Sequence, residues 1–349
     1  MKKGNIRESN IELLRIIAVI GVIVLHFNGS YSHALEFVGR RTTNYYILKC
    51  LESIFIPAVN LFVLISGYYL SSSSKRKIVK PMQLIAQVIL FGGFTYLLSV
   101  IDGTRTFSIT SMAGSMIPCN YYVILYAVLY IVSPYINLLL DNLSEKKYRK
   151  FVITVFSLFS VWPMMVDVAQ EILGIELMGL SSISMHGSQN GYTIVNFCLM
   201  YIIGAYIRKI DVKISMKKLL LISVGCIICL TVWSEVSQNT AWAYCNPIVI
   251  VSAVAIFLLF QQLCISSKVI NFMAKGVFTC FLFHGYFLLK VDAQSIVKSN
   301  TIIMIAYIIV IIIVVYSICL CASVIYGFIE QKLLKRFWSS VNKLDIWSE

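Results

Sequence analysis

The chain has 349 residues, of which 59% are hydrophobic and only 13% charged, and its mean hydropathy is +0.83. Soluble domains carry about 25% charged residues, so a chain this apolar has too little polar surface for water and is expected to use lipid as its solvent. The net charge of +13 would suit a nucleic-acid binder, but no basic run is interleaved with aromatic residues as a stacking platform requires, and nucleic acid is excluded as a partner.

A helix needs about 20 apolar residues to cross the hydrocarbon of a bilayer. In chain order, ten apolar stretches predict such helices near 11–28, 47–70, 82–101, 121–140, 151–168, 192–207, 218–234, 244–264, 270–290 and 301–328. They follow one another without a change of composition, so a single membrane domain over 1–349 is expected. The first stretch follows a basic segment, as in a signal peptide. Arg15 interrupts it and no small-residue cleavage site follows, so it is expected to remain as the first helix. The stretch 168–185 carries Glu171 and Glu176 and is expected to be an external loop, with or without a short surface helix.

Cytoplasmic loops gather lysine and arginine. With the N-terminus inside, most of the 29 basic residues fall in inner segments. These are Lys2, Lys3, Arg7; Lys75, Arg76, Lys77, Lys80; Lys146, Lys147, Arg149, Lys150; Arg208, Lys209, Lys213, Lys217, Lys218; Lys268, Lys275; and Lys332, Lys335, Arg336, Lys343. The outer segments carry only Arg40, Arg41, Lys49, Arg105, Lys290 and Lys298. The expected fold class is therefore all-α: a polytopic membrane helix bundle of about ten transmembrane helices with both termini cytoplasmic. Most of the ten cysteines sit within apolar runs and read as small hydrophobes. Cys226-x-x-Cys229 lies mid-span without a second pair or a nearby histidine, so no metal site is expected.

An ionisable residue inside a span is costly and marks a candidate site. The first stretch has Arg15 and His26, eleven residues apart, or about three turns and about 16 Å along one helix face. A cation near one end and an imidazole deeper in the membrane suit an extended ligand such as coenzyme A, with phosphates at one end and a thioester at the other. Arg15 also stands one turn from Glu12, so a local ion pair is the plainer alternative. His284, in Phe281-Leu282-Phe283-His284-Gly285-Tyr286, is expected at the depth of His26, so that the two imidazoles line one cavity and pass a proton. Ser66, Gly67 and Tyr68 end the second stretch level with Arg15, and the basic loop Lys75-Arg76-Lys77 follows. They read either as the lining of a donor entrance or as a small-residue helix contact before an ordinary basic loop. His33 and His186 fall in external loops, and Tyr121, Tyr122, Tyr126 and Tyr130 form an aromatic belt or a sugar-stacking stripe.

Together these features resemble the acyltransferase-3 family of bacterial membrane acyltransferases. The resemblance is carried by Arg15 and His26 at their spacing, by Asn60-Leu-Phe-Val-Leu-Ile-Ser66-Gly67-Tyr68, and by Tyr126 through Ser133-Pro134 with Asn137. Tyr201-Ile-Ile-Gly204-Ala-Tyr206-Ile-Arg208 and Cys280-Phe-Leu-Phe-His284 extend it over nearly the whole chain. It implies a multi-pass enzyme of the bacterial cytoplasmic membrane with no permanently bound cofactor. Its donor would be acyl-CoA, usually acetyl-CoA, and its acceptor a hydroxyl of a surface polysaccharide or lipid-linked glycan. In that scheme Arg15, with Lys75 and Arg76, holds the donor phosphates, and Ser66, Gly67 and Tyr68 line its entrance. His26 is the catalytic base or acyl carrier and His284 its helper. A transporter, flippase or polymerase of lipid-linked oligosaccharide is the competing class. A transporter, however, would carry matching broken helices in two halves, and no clear pair is present.

Overall fold

A computed structural model describes residues 8–73 and 75–342. Lys2, Lys3, Arg7 and Lys343, assigned above to inner segments, and both chain ends lie outside the described residues. Among the described residues every regular element is helical. The first half of the chain runs α1 (Ser9–Asn28), the short α2 (Ala34–Phe37), α3 (Thr43–Phe55), α4 (Ala58–Leu70), α5 (Val79–Ile101), α6 (Ile109–Ser115), α7 (Tyr121–Asp141), α8 (Glu145–Phe156) and α9 (Trp162–Leu173). The second half runs α10 (Ile194–Ile210), α11 (Met216–Trp233), α12 (Gln238–Ala241), α13 (Pro247–Gln261), α14 (Lys268–Met273), α15 (Val277–Leu288), α16 (Ala293–Lys298), α17 (Thr301–Ile329) and α18 (Lys335–Val341).

Seven of the continuous helical stretches are long and apolar enough to cross a membrane: Ser9–Asn28, Thr43–Leu70, Val79–Ile101, Tyr121–Asp141, Glu145–Leu173, Met216–Trp233 and Thr301–Val341. The three other stretches read from the sequence are also helical: 17 residues in α10, 15 in α13, and α14 joined to α15 by a helical turn at Ala274–Gly276. The expected loop at 168–185 begins late, because α9 continues to Leu173 and stops where Gly174 turns left-handed at φ 65°. Polar side chains start many helices: oxygens of Thr42, Asn120, Thr193, Ser267 and Asn300 each accept a backbone N–H of the first turn, satisfying donors that lipid cannot.

Two prolines shape the bundle. Pro57 divides the second stretch into α3 and α4. Pro134 lies inside α7 and cannot bond the carbonyl one turn back. That carbonyl, on Tyr130, instead accepts the Ser133 hydroxyl at 2.8 Å.

The first helix is the axis of the fold. Its most apolar 18 residues are 72% buried, against 22% for those of Thr301–Val341, so α17 presents most of its apolar surface to lipid. Ile11, Leu14, Ala18, Val22 and Leu25 join one hydrophobic core, and Ile16, Val19, Ile23 and Phe27 join another. Both sets recur at three- and four-residue intervals, so two faces of one helix are buried at once. Helices α4 and α10 pack closely because a Cβ at Gly67 would collide with the Tyr201 backbone, and one at Gly204 with the backbone of Leu64. Overpacking of this kind costs about 1–3 kcal/mol. Gly204→Val is therefore expected to lower the thermal midpoint of the detergent-solubilised protein, and an unchanged midpoint would contradict this helix contact.

Candidate functional site

His26 and His284 meet across the α1–α15 contact. Nδ1 of His26 lies 2.5 Å from Nε2 of His284, and the rings are near parallel at 15° with centroids 4.8 Å apart. The nitrogens thus face one another between the rings. On its far side, His284 Nδ1 is 2.7 Å from the carbonyl oxygen of Cys280. A carbonyl only accepts, so this nitrogen carries the hydrogen. In the uncharged pair His284 Nε2 is then bare, and His26 Nδ1 must donate to it. The lone pair left over is Nε2 of His26. His284 is fully buried while His26 is only half-buried, so the free lone pair belongs to the accessible ring. This chain of bonds fixes a tautomer in the way a base and its orienting partner do.

Tyr31, in the turn after α1, closes over the pair. Its ring stands edge-on to His26 at 5.0 Å and to His284 at 5.8 Å. Gly285 makes room for it, since a Cβ there would enter the Tyr31 ring. Burial pushes the Tyr31 phenol up from its usual range.

A cavity of about 400 Å³ opens between α1, α4, α5, α7 and α15. Its polar lining comes from Glu12, Arg15 and Lys275 and its apolar walls from Phe62, Leu84, Tyr122, Phe278 and Phe281. Ser66 and Tyr126 line it together, 3.4 Å apart. Arg15 Nη1 bonds Glu12 at 3.0 Å, the alternative weighed for it in the sequence, and Arg15 still lines the cavity. Toward the Asn28 end of α1 a second cavity, of about 350 Å³, lies against α5 and α15. Val88 and Gly285 line it one turn beyond Leu84 and Phe281 of the first, and Tyr31 is part of its wall. The histidines line neither cavity themselves. Beside Tyr286, a lining residue of the second, Asp102 accepts hydrogen bonds from Lys290, Thr104 and Tyr286. Those bonds, Lys290 first, hold its carboxyl far below the usual carboxylate range.

Other residues chosen from the sequence sit elsewhere. Gly67 faces α10, not the cavity, and serves helix packing. Tyr68 is turned toward α13, where its hydroxyl accepts from Gln261 at 2.9 Å and its ring rests on Phe257. Lys75 is exposed in the loop after α4. Arg76 is buried, and its guanidinium is committed to Ser133 Oγ, to the carbonyls of Leu70, Ser73 and Lys75, and to Tyr201 Oη. A guanidinium has five N–H donors, so none is left for a ligand phosphate: Arg76 clamps the loop to the Pro134 turn of α7. Lys49, read as an external charge, is fully buried in α3 and pairs with Glu235 at 2.7 Å.

Sequence reasoning missed Tyr31, Lys275 and Glu52. Glu52 is an ionisable residue inside the second stretch, and it accepts a bond from Asn28, two residues beyond His26, at 2.8 Å. The rule that exposed Arg15 and His26 applied to it equally. Tyr31 carried no signal, because its position depends on a turn and a distant glycine. Among the described residues no group of acidic, histidine and cysteine side chains could hold a metal ion.

A family model described as an acyltransferase domain matches residues 8–324. No curated protein and no solved structure matches the chain. Removing a buried group that satisfies several acceptors costs about 1–3 kcal/mol, whereas exposed changes stay near ±0.5 kcal/mol. Arg76→Gln is thus expected to lower thermal stability clearly and Lys75→Gln hardly at all, with equal effects counting against the clamp.

Proposed function

The chain belongs to the acyltransferase-3 family of membrane acyltransferases, and on that premise we propose that it moves an acetyl group from cytoplasmic acyl-CoA to a hydroxyl of a surface or lipid-linked polysaccharide. Its place in this reading is the bacterial cytoplasmic membrane, with the Ser9 end of α1 facing the cytoplasm. The observation that carries the reading is the unshared lone pair of the half-buried His26, its tautomer held by His284, on a helix that also lines a cavity with a cationic end and apolar walls.

Arg15 and Lys275 bind the donor's phosphates at the inner end. Arg15 spends one nitrogen on Glu12, and a planar guanidinium has further donors for a phosphate. The walls of Phe62, Phe278 and Phe281 accept the pantetheine arm and exclude water from the thioester. Ser66 and Tyr126 offer hydroxyls along the arm. Gly67, Tyr68 and Arg76 act behind this lining as packing and clamping residues.

The acceptor hydroxyl approaches His26 Nε2, which takes its proton as the oxygen attacks the thioester carbonyl. The new C–O bond forms, the C–S bond breaks, and the imidazolium returns the proton to the departing coenzyme A sulfur. His284 stabilises the transient imidazolium through its bare Nε2 and returns His26 to the same tautomer. In a two-step variant His26 Nε2 attacks the thioester carbonyl and coenzyme A leaves as thiolate; the sugar hydroxyl then attacks the acetyl-imidazolium, its proton passing to the thiolate as the C–N bond to His26 breaks. Rapid quenching with labelled acetyl-CoA separates the two, since only the variant leaves label on His26.

A positioned general base contributes about 10²–10⁴-fold in rate. His26→Ala should lose that much acetyl transfer from labelled acetyl-CoA in membranes while still accumulating there, and ordinary transfer by this variant would refute the scheme. Arg15→Ala should raise KM for acetyl-CoA with a much smaller change in kcat. A transporter or flippase would show no transfer in the same assay.

A further inference from the structure

Resting on the acyl transfer just described, we propose that the second cavity is the acceptor subsite and that it takes an anionic glycan unit, whose carboxylate or phosphate pairs with Arg105. The cavity adjoins the reacting centre through Tyr31, whose ring touches both histidines and also forms part of the cavity wall. Its lining differs in kind from that of the first cavity. Thr95 brings a hydroxyl and Asn120 the NH2 of an amide whose oxygen caps α7, and Phe91 and Tyr31 add aromatic surface. Hydroxyls and amides match the hydroxyls of a sugar, and aromatic faces match its C–H faces.

Charge then narrows the ligand. Next to the lining residue Tyr286 two side chains of opposite sign cancel: Lys290 and Asp102 form an ion pair, reinforced by the Tyr286 hydroxyl, which donates to Asp102 at 2.5 Å. Arg105 lines the same cavity, and among the described residues its guanidinium has neither a hydrogen-bond nor an ion-pair partner. Only its backbone N–H is used, on the Ser99 carbonyl at 2.9 Å. The cavity therefore keeps one uncancelled cation with a fork of donors that fits a carboxylate or phosphate in bidentate fashion. Such an anion comes from an acidic sugar in the polymer or from the diphosphate that links a sugar to its lipid carrier.

The test replaces the gene in its own host with Arg105→Gln or Arg105→Lys, confirms membrane levels by immunoblot, and measures O-acetyl groups by NMR. Surface polymer and lipid-linked precursors are extracted separately. Arg105→Gln is expected to lose roughly tenfold of the acetylation, as loss of a charged hydrogen bond implies, while Arg105→Lys keeps most of it. Acetyl groups already on the lipid-linked fraction assign the anion to the diphosphate. Acetyl groups only on polymer, on or beside an acidic sugar, assign it to the carboxylate. Full acetylation by Arg105→Gln, or acetyl groups confined to a wholly neutral polymer, overturns the subsite. As a check that needs no variant, methyl glucuronide or glucose 1-phosphate should inhibit transfer in wild-type membranes more strongly than methyl glucoside, and equal inhibition by all three also overturns it. If deletion of the gene removes no acetyl groups, the acyl-transfer reading itself falls and the subsite with it.

Discussion

The hydrogen bond between His26 and His284 ties the first helix to the fifteenth, and the chemistry depends on which atoms it uses. A backbone carbonyl at Cys280 sets the proton on one ring, and that ring sets the proton on the next. The outcome is a single unoccupied lone pair on the more accessible imidazole. No carboxylate is needed for this orientation. A carbonyl within a helix is an acceptor already paid for by the fold, and it brings no charge into the membrane. The arrangement also explains why α1 is the most buried span: its two apolar faces grip both halves of the bundle, and the remaining face carries Arg15 and His26.

Burying polar side chains in lipid demands that each find a partner. Asn60 donates to the Tyr244 carbonyl at 2.7 Å and accepts from Asn196 at 3.1 Å. Asn137 donates to Leu70 and Ser73 and accepts from Tyr201 at 2.8 Å. Arg76 completes that second network through Ser133. These bonds lie behind α4, on the side away from the first cavity. They hold α4, α7 and α10 together, while Ser66 and Tyr126 on the opposite side of α4 and α7 remain available to a ligand. Motif residues therefore divide by the face of the helix they occupy. Arg15, Ser66 and Tyr126 face the cavity, whereas Gly67, Tyr68, Arg76 and Asn137 build its scaffold.

Much of the fold was legible because hydropathy reports the solvent directly. Each of the ten apolar stretches is helical, although α10 and α13 are shorter than a full crossing. The α1 residues were legible because a charge in an apolar run has few explanations. The roles of Gly67 and Arg76 were not, since sequence spacing gives a residue's position along a helix but not what packs against it. Lys49 illustrates the same limit: a cation near the end of a span looks external until Glu235 of a distant segment is brought beside it. Tyr31 and the second cavity arise from turns and from close approach at Gly285, and neither has a periodic signature.

The tautomer of His26 is the claim on which the rest stands, and nitrogen NMR reads it directly. The protein would be labelled at histidine with ¹⁵N, held in bilayers near neutral pH, and assigned with His33→Gln and His186→Gln. Protonated Nδ1 and bare Nε2 at His26, together with protonated Nδ1 at His284, is the expected pattern. A His26 ring protonated at Nε2 instead would have no lone pair to offer the acceptor, and the catalytic scheme would be contradicted.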